Sequence, residues 1–248
     1  MRVRWPRILG YHSISRLEDD PNMMCTSPER FESQMLYLKR HNLRGVSVRE
    51  LLPAWRARSA KGLVGLTFDD AYEDFLHAAV PVLEKFGFSA TVFVVAGLLG
   101  GENDWEHFFS PRPKKKLLEA AGIREVSERG MEVGAHSMSH PALPTLDTAA
   151  VDTEVSESRR VLSEVLGEEV EGFCYPYGEL DEVSCQAVRR ARYTYACAVN
   201  MRVERTIYDL PRIPVSDRDD LLRFAAKLRI HAHYRAAKRI YLRYTKGS

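Results

Sequence analysis

The chain has 248 residues, of which 45% are apolar and 28% charged, and its formal net charge is +2. That length and apolar fraction suit one domain of barrel size with a sizeable core. The near-neutral balance gives no reason to expect a polyanionic partner, and with no zinc-finger spacing and its basic excess confined to one tail, a nucleic-acid binder is not expected.

The N-terminus, Met1 to Ile8, is basic, but no long apolar segment follows it. No signal peptide or membrane span is expected, which points to the cytoplasm. Arg7 to Tyr11 reads as a first strand with His12 at its exit. On pattern alone His12 reads as a loop residue, because Ser13 to Pro21 is polar and turn-like. Ser27 followed by Pro28 starts a helix whose apolar face is Phe31, Met35 and Leu38. A short strand near Leu43 to Val46 and a helix from Ser47 to Trp55 follow. A basic turn then leads to Leu63–Phe68, a buried strand ending on Asp69 and Asp70. Tyr72 to Phe86 has a helical pattern stopped by Gly87. Phe88 to Val95 reads as a fully buried strand. Gly97 to Pro113 is an irregular excursion carrying Trp105, of a length often used for binding loops. Lys114 to Lys116 is expected as the solvated start of a helix running to about Ala121, with a further short helix over 123–130.

Met131 to Ala135 is another short strand, ending at His136. Asp147 caps a long helix that Gly167 ends. Val170 to Tyr175 is a strand closed by Pro176-Tyr177-Gly178. Asp181 caps a helix to about Arg190. Thr194 to Val199 and Leu210 to Val215 are the last strands. This alternation fits an α/β fold, a (β/α) barrel, rather than an antiparallel sandwich. The cysteines Cys25, Cys174, Cys185 and Cys197 show no Cys-x-x-Cys spacing and read as buried free thiols in a reducing compartment.

Two stretches carry chemistry. Adjacent carboxylates at a strand end, Asp69 and Asp70, are costly unless something separates or neutralises them. Successive strand side chains point opposite ways, so one can bind a cation while the other stays free as a base. His136 and His140 are four residues apart. If Ser137 to His140 make one helical turn, both imidazoles share a face, a spacing that suits two nitrogen ligands on one cation.

Thr67-Phe68-Asp69-Asp70, His136-Ser-Met-Ser-His140-Pro and Phe173-Cys174-Tyr175-Pro176-Tyr177-Gly178 resemble, in order, the first three motifs of the polysaccharide deacetylases. This is the nodulation-deacetylase homology fold, carbohydrate esterase family four. Leu9-Gly10-Tyr11-His12-Ser13 resembles the opening of the branch acting on poly-N-acetylglucosamine-like chains. The resemblance runs from about Ile8 to Val215. It implies a distorted (β/α) barrel of about seven parallel strands, one divalent metal ion, and hydrolysis of an N-acetyl or O-acetyl group on a sugar.

The expected site follows from it. Asp70, His136 and His140 hold the ion, which lowers the pKa of a water and polarises the acetyl carbonyl. Zinc suits these ligands, though cobalt, nickel or iron also fit. Asp69 is the base. The backbone N–H of Tyr177 helps the metal stabilise the oxyanion. Relatives often take their acid from a Leu-x-His motif near the C-terminus. None stands here before the basic tail, so His12 is the candidate acid, as in the branch that begins Tyr-His. The family's third motif often begins with an Arg that orients the catalytic Asp; here that position is Cys174. Arg212, near the end of the last strand, could substitute from across the barrel or be an ordinary surface residue. Trp105 either stacks on a sugar ring or plugs the barrel edge.

The expected substrate is an N-acetylated amino sugar of a polysaccharide or glycolipid precursor. An O-acetyl (xylan-type) esterase, a small-amide deacetylase and a non-catalytic carbohydrate-binding relative are the alternatives. Residues 1–220 would form the catalytic domain. Residues 221–248 hold eight Lys or Arg and no Asp or Glu. They read either as a closing barrel helix with a solvated basic face or as an amphipathic helix touching an anionic membrane. His231 and His233 lie in this tail and receive no ligand role. The sequence leaves the oligomeric state open.

Overall fold

A computed structural model describes residues 5–17, 20, 22–105, 113–199 and 206–229. Its centre is a parallel sheet. In chain order the strands are β1 (Ile8–Tyr11), β2 (Arg44–Val46), β3 (Leu63–Phe68), β4 (Thr91–Val94), β5 (Glu132–Ala135), β6 (Gly172–Cys174), β7 (Tyr195–Ala198), β8 (Leu210–Pro211) and β9 (Ile213–Pro214). The sheet order is β8-β7-β6-β5-β4-β3-β1-β9. β8 pairs with β7 and β9 with β1, both parallel, and Arg212 alone separates the two short strands. One chain segment therefore bridges the two edges and nearly closes the sheet into a barrel, as the alternating sequence pattern implies. β2 lies beside the first half of β3, whose second half pairs with β4.

Strand alternation divides the core in two. Leu9, Tyr11, Leu66, Phe68, Val92 and Phe173 belong to an outer layer under the helices. Ile8, Phe93, Cys174, Tyr195, Cys197 and Leu210 form a separate inner cluster. The bore is narrow, so large side chains sit against glycines. A Cβ on Gly172 would come within 2.2 Å of the Tyr195 hydroxyl oxygen. At one end of the barrel Glu132 is buried, and its carboxylate accepts from Tyr195 Oη (2.7 Å), Thr91 Oγ1 (2.6 Å) and the Arg49 backbone N–H (2.9 Å). The last bond satisfies a first-turn donor of helix α2 (Val48–Arg56), so this buried carboxylate is a helix cap. Burial pushes its carboxyl up, opposed by these three donors.

The remaining helices are α1 (Pro28–Arg40), α3 (Val80–Phe86), α4 (Ala120–Glu128), α5 (Thr148–Leu166) and α6 (Glu182–Arg190). Asp147 and Asp181 cap α5 and α6 through their side chains, and Gly167 ends α5 in a left-handed turn. Two expectations are corrected. The segment after Asp70 is not one regular helix: Phe75–Ala79 is a π-helical turn leading into α3. Pro81 lacks the N–H that would continue the regular ladder, and a wider turn accommodates the gap. Lys114 to Lys116 do not start a helix. Lys116 and Leu117 make isolated bridges to Glu102 and Tyr72, and Lys115 is drawn inward to Asp74.

Residues 221–229 are helical, and Phe224 and Leu228 are buried in the outer core, with Phe224 edge-on to Tyr37 at 5.9 Å. Residues 230–248, including His231 and His233, lie outside the described residues. Among the described residues no helix is long and apolar enough to cross a membrane. Phe224→Ala should destabilise the domain by about 3–5 kcal/mol, the usual cost of emptying a buried Phe site. A lower urea midpoint at constant m-value would show it; an unchanged midpoint would mean the helix does not pack in solution.

Candidate active site

Asp69 follows the last residue of β3, and its backbone N–H bonds the Tyr11 carbonyl at 3.0 Å. Its carboxylate meets Arg212, which enters from the gap between β8 and β9. Arg212 Nη1 donates to Asp69 Oδ1 at 2.5 Å and Nη2 to Oδ2 at 2.7 Å. Nη1 also reaches Thr67 Oγ1 at 3.1 Å, and the guanidinium lies 5.7 Å from the Phe93 ring centroid. Both partners are almost fully buried, at 4% and 3% exposure. Burial alone would raise the Asp69 carboxyl. The charge and paired hydrogen bonds of Arg212 outweigh it and hold the group well below the usual carboxylate range. The third-motif position, Cys174, is a buried strand residue, and the guanidinium comes instead from the segment beside β1, the strand next to β3. His12 Nε2 stands 3.7 Å from Asp69 Oδ2 and is a quarter exposed.

The two carboxylates separate by a backbone turn rather than by strand alternation. Asp70 and Ala71 are left-handed, with φ of 73° and 55°. Asp70 Oδ1 lies 3.7 Å from His136 Nε2 and 3.5 Å from His140 Nε2. All three residues are buried, and their donor atoms lie within 4.8 Å of one another. The histidines are not joined by a helical turn. Ser137 and His140 have φ of 64° and 63°, and His140 N–H donates to Ser137 Oγ at 3.0 Å. The loop docks on the backbone after β4: Ala96 N–H bonds the Ser137 carbonyl and Gly97 N–H the Met138 carbonyl. A Cβ on Gly97 would sit 2.6 Å from that Met138 oxygen, so only glycine allows this approach.

The donor set fits a divalent ion. His136 Nδ1 is 2.7 Å from the Cys174 carbonyl oxygen. A carbonyl only accepts, so Nδ1 carries the hydrogen and Nε2 is left with its lone pair on the Asp70 side. Separations of 3.5–3.7 Å are those of donors that share one ion about 2.0–2.2 Å from each. Asp69, His136 and Cys174 form a second possible grouping. It is the poorer one, because Arg212 already occupies both Asp69 oxygens and burial pushes the Cys174 thiol well up.

Aromatic rings flank His140. Trp105 stacks on it at 4.5 Å and Tyr177 meets it edge-on at 4.7 Å. Tyr177 is itself left-handed, at φ 59°. The sequence reading missed Asp74 and Lys115. Asp74 accepts from Ser13 Oγ (2.6 Å), Ile14 N–H (2.9 Å) and Lys115 Nζ (2.9 Å), tying the loop after His12 to the excursion after β4. A lysine in a polar tract carries no signal of burial, so nothing in its spacing could have shown this.

The family model for polysaccharide deacetylases matches residues 56–196, more than half of the chain. The chain belongs to the polysaccharide deacetylase family. Among curated members it is 26% identical over 198 residues to the poly-β-1,6-N-acetyl-D-glucosamine N-deacetylase of Staphylococcus aureus, covering 77% of this chain and 68% of that one. Its fold is that of the Streptococcus pyogenes deacetylase PplD, solved with acetate (TM-score 0.77, 24% identity, 90% of this chain and 98% of that one). IcaB from Ammonifex degensii is also similar (TM-score 0.68, 21% identity, 86% and 93%).

The buried pair makes a pH-dependent prediction. In the native deacetylase the depressed Asp69 carboxyl contributes stability that is complete above its unfolded pKa of about 3.9 and is lost as pH falls toward the folded value. Arg212→Ala should cost about 3–5 kcal/mol by stranding a buried charge. Burial then raises the Asp69 carboxyl, so the variant should lose further stability as pH rises above about 4. Urea midpoints across that range should show a gap from wild type that widens with pH; a constant gap would contradict the assignment.

Proposed function

We propose that this deacetylase hydrolyses the acetyl group of N-acetylated amino sugars in a polysaccharide or glycolipid precursor, using a divalent ion held by Asp70, His136 and His140. One observation carries the reading: the Asp69 carboxylate, kept ionised by Arg212, stands next to the three-donor set of Asp70, His136 and His140. The ion supplies Lewis acidity toward a water and the acetyl carbonyl. Asp69 takes the water's proton while the water oxygen bonds the acetyl carbon. Tyr177, at the exit of β6, offers its backbone N–H to the developing oxyanion. The C–N bond then breaks, and His12 gives the amine nitrogen its proton. Acetate and a free amino sugar leave. Trp105 forms the wall behind His140, against which the sugar sits.

The amide substrate is favoured by similarity to a poly-β-1,6-N-acetyl-D-glucosamine N-deacetylase. A non-catalytic relative is disfavoured, because the guanidinium partner missing at Cys174 is supplied by Arg212. Acetate release from N-acetylglucosamine oligomers should depend on added zinc or cobalt, and Asp69→Asn should lower kcat by about 10²–10⁴-fold with metal still bound. Acetate release that survives in Asp69→Asn would refute the base. His12→Gln should slow the amide far more than an O-acetyl sugar, whose alkoxide leaving group needs less help from an acid. Equal loss on both would remove His12 from the acid role.

A further inference from the structure

The two histidines sit at the ends of a loop that is neither helix nor strand, and two of its residues are left-handed. A stretch this short has no internal backbone acceptors for its N–H groups, just as the first turn of a helix has none. This loop leaves those of Met138 and Ser139 to find acceptors elsewhere, and both find the same side chain. Glu154, half-buried on α5, accepts Met138 N–H at 2.8 Å and Ser139 N–H at 2.9 Å on Oε2, and Ser139 Oγ–H at 2.6 Å on Oε1. Two successive N–H groups aimed at one oxygen form a small anion-binding concavity, and here the carboxylate fills it. The other side of the loop is fixed by the backbone of Ala96 and Gly97. Glu154 thus holds Met138, midway between His136 and His140, and Ser139 beside it.

We propose that Glu154 is a positioning residue for the metal centre: its clamp on Met138 and Ser139 makes the two imidazoles converge on Asp70. This rests on the reading that Asp70, His136 and His140 hold a divalent ion. Without the carboxylate the left-handed residues relax, and the donors must be gathered again at each binding event. Outer partners that orient ligands in this way are typically worth about 10–100-fold in metal affinity.

The test is zinc affinity of the purified full chain, measured by competition with a chromophoric chelator. E154A should bind zinc about 10–100-fold more weakly than wild type, while kcat at saturating zinc stays near the wild-type value. E154Q should retain most of the affinity, since its amide oxygen can still accept both N–H groups. Glu157→Ala, on the same helix but ion-paired to Arg160 at the surface, should change nothing. A lower urea midpoint of metal-free E154A with unchanged zinc affinity would make Glu154 merely structural and overturn the proposal. Wild-type protein that binds no zinc would overturn the metal reading itself, and this proposal with it. Should E154A not fold, Glu154→Asp keeps the charge but shortens the reach; unchanged affinity in that variant would equally refute the clamp.

Discussion

The site depends on a buried pair of charges, Asp69 and Arg212. A carboxylate 4% exposed inside a barrel would ordinarily take up a proton. The forked guanidinium prevents this, and its position follows from the fold. Arg212 is the one residue between β8 and β9, the segment that joins β7 to β1. Its backbone N–H bonds the Ala198 carbonyl at the end of β7 while its side chain passes over Gly10 of β1 to the end of β3. Closing the barrel and neutralising the buried Asp69 carboxylate are thus the same structural event. The pair need not stabilise the fold relative to an apolar pair of similar size, but breaking it leaves a charge with no compensation.

The second constraint is the separation of two neighbouring acids. Asp69 is matched to a permanent cation, whereas Asp70 faces the Nε2 atoms of two imidazoles. Left-handed backbone does the separating. Asp70, Ala71, Ser137, His140 and Tyr177 all have positive φ and all lie at or next to the site. Each such residue costs on the order of 1–3 kcal/mol and persists only where its surroundings over-determine it. The surroundings here are the docking bonds from Ala96 and Gly97, the Ser137 hydroxyl and the Glu154 carboxylate.

The barrel was legible because buried parallel strands leave continuous apolar runs and their helices carry clear caps; Asp147, Asp181 and Gly167 act as their residue types suggest. The paired acids and paired histidines were legible as donors at strand exits. The conformation joining the histidines was not, since four-residue spacing fits a helical turn and a compact loop equally well. The π-helical turn before α3 was missed although Pro81, inside the expected helix, already marks a break in its ladder. Long-range polar partners such as Asp74 with Lys115, or Glu154 with the histidine loop, leave no periodic mark. Each is an ordinary charged residue on the surface pattern of its own segment. Arg212 was a candidate only because Cys174 stood where the family usually carries its arginine.

The measurement that bears most directly on this division of labour is a crystal structure of the zinc-loaded protein with anomalous scattering at the zinc edge. The account predicts one ion about 2.0–2.2 Å from Asp70, His136 and His140, with Asp69 still forked by Arg212. An ion bound by Asp69 and Cys174, with Arg212 displaced, would contradict it.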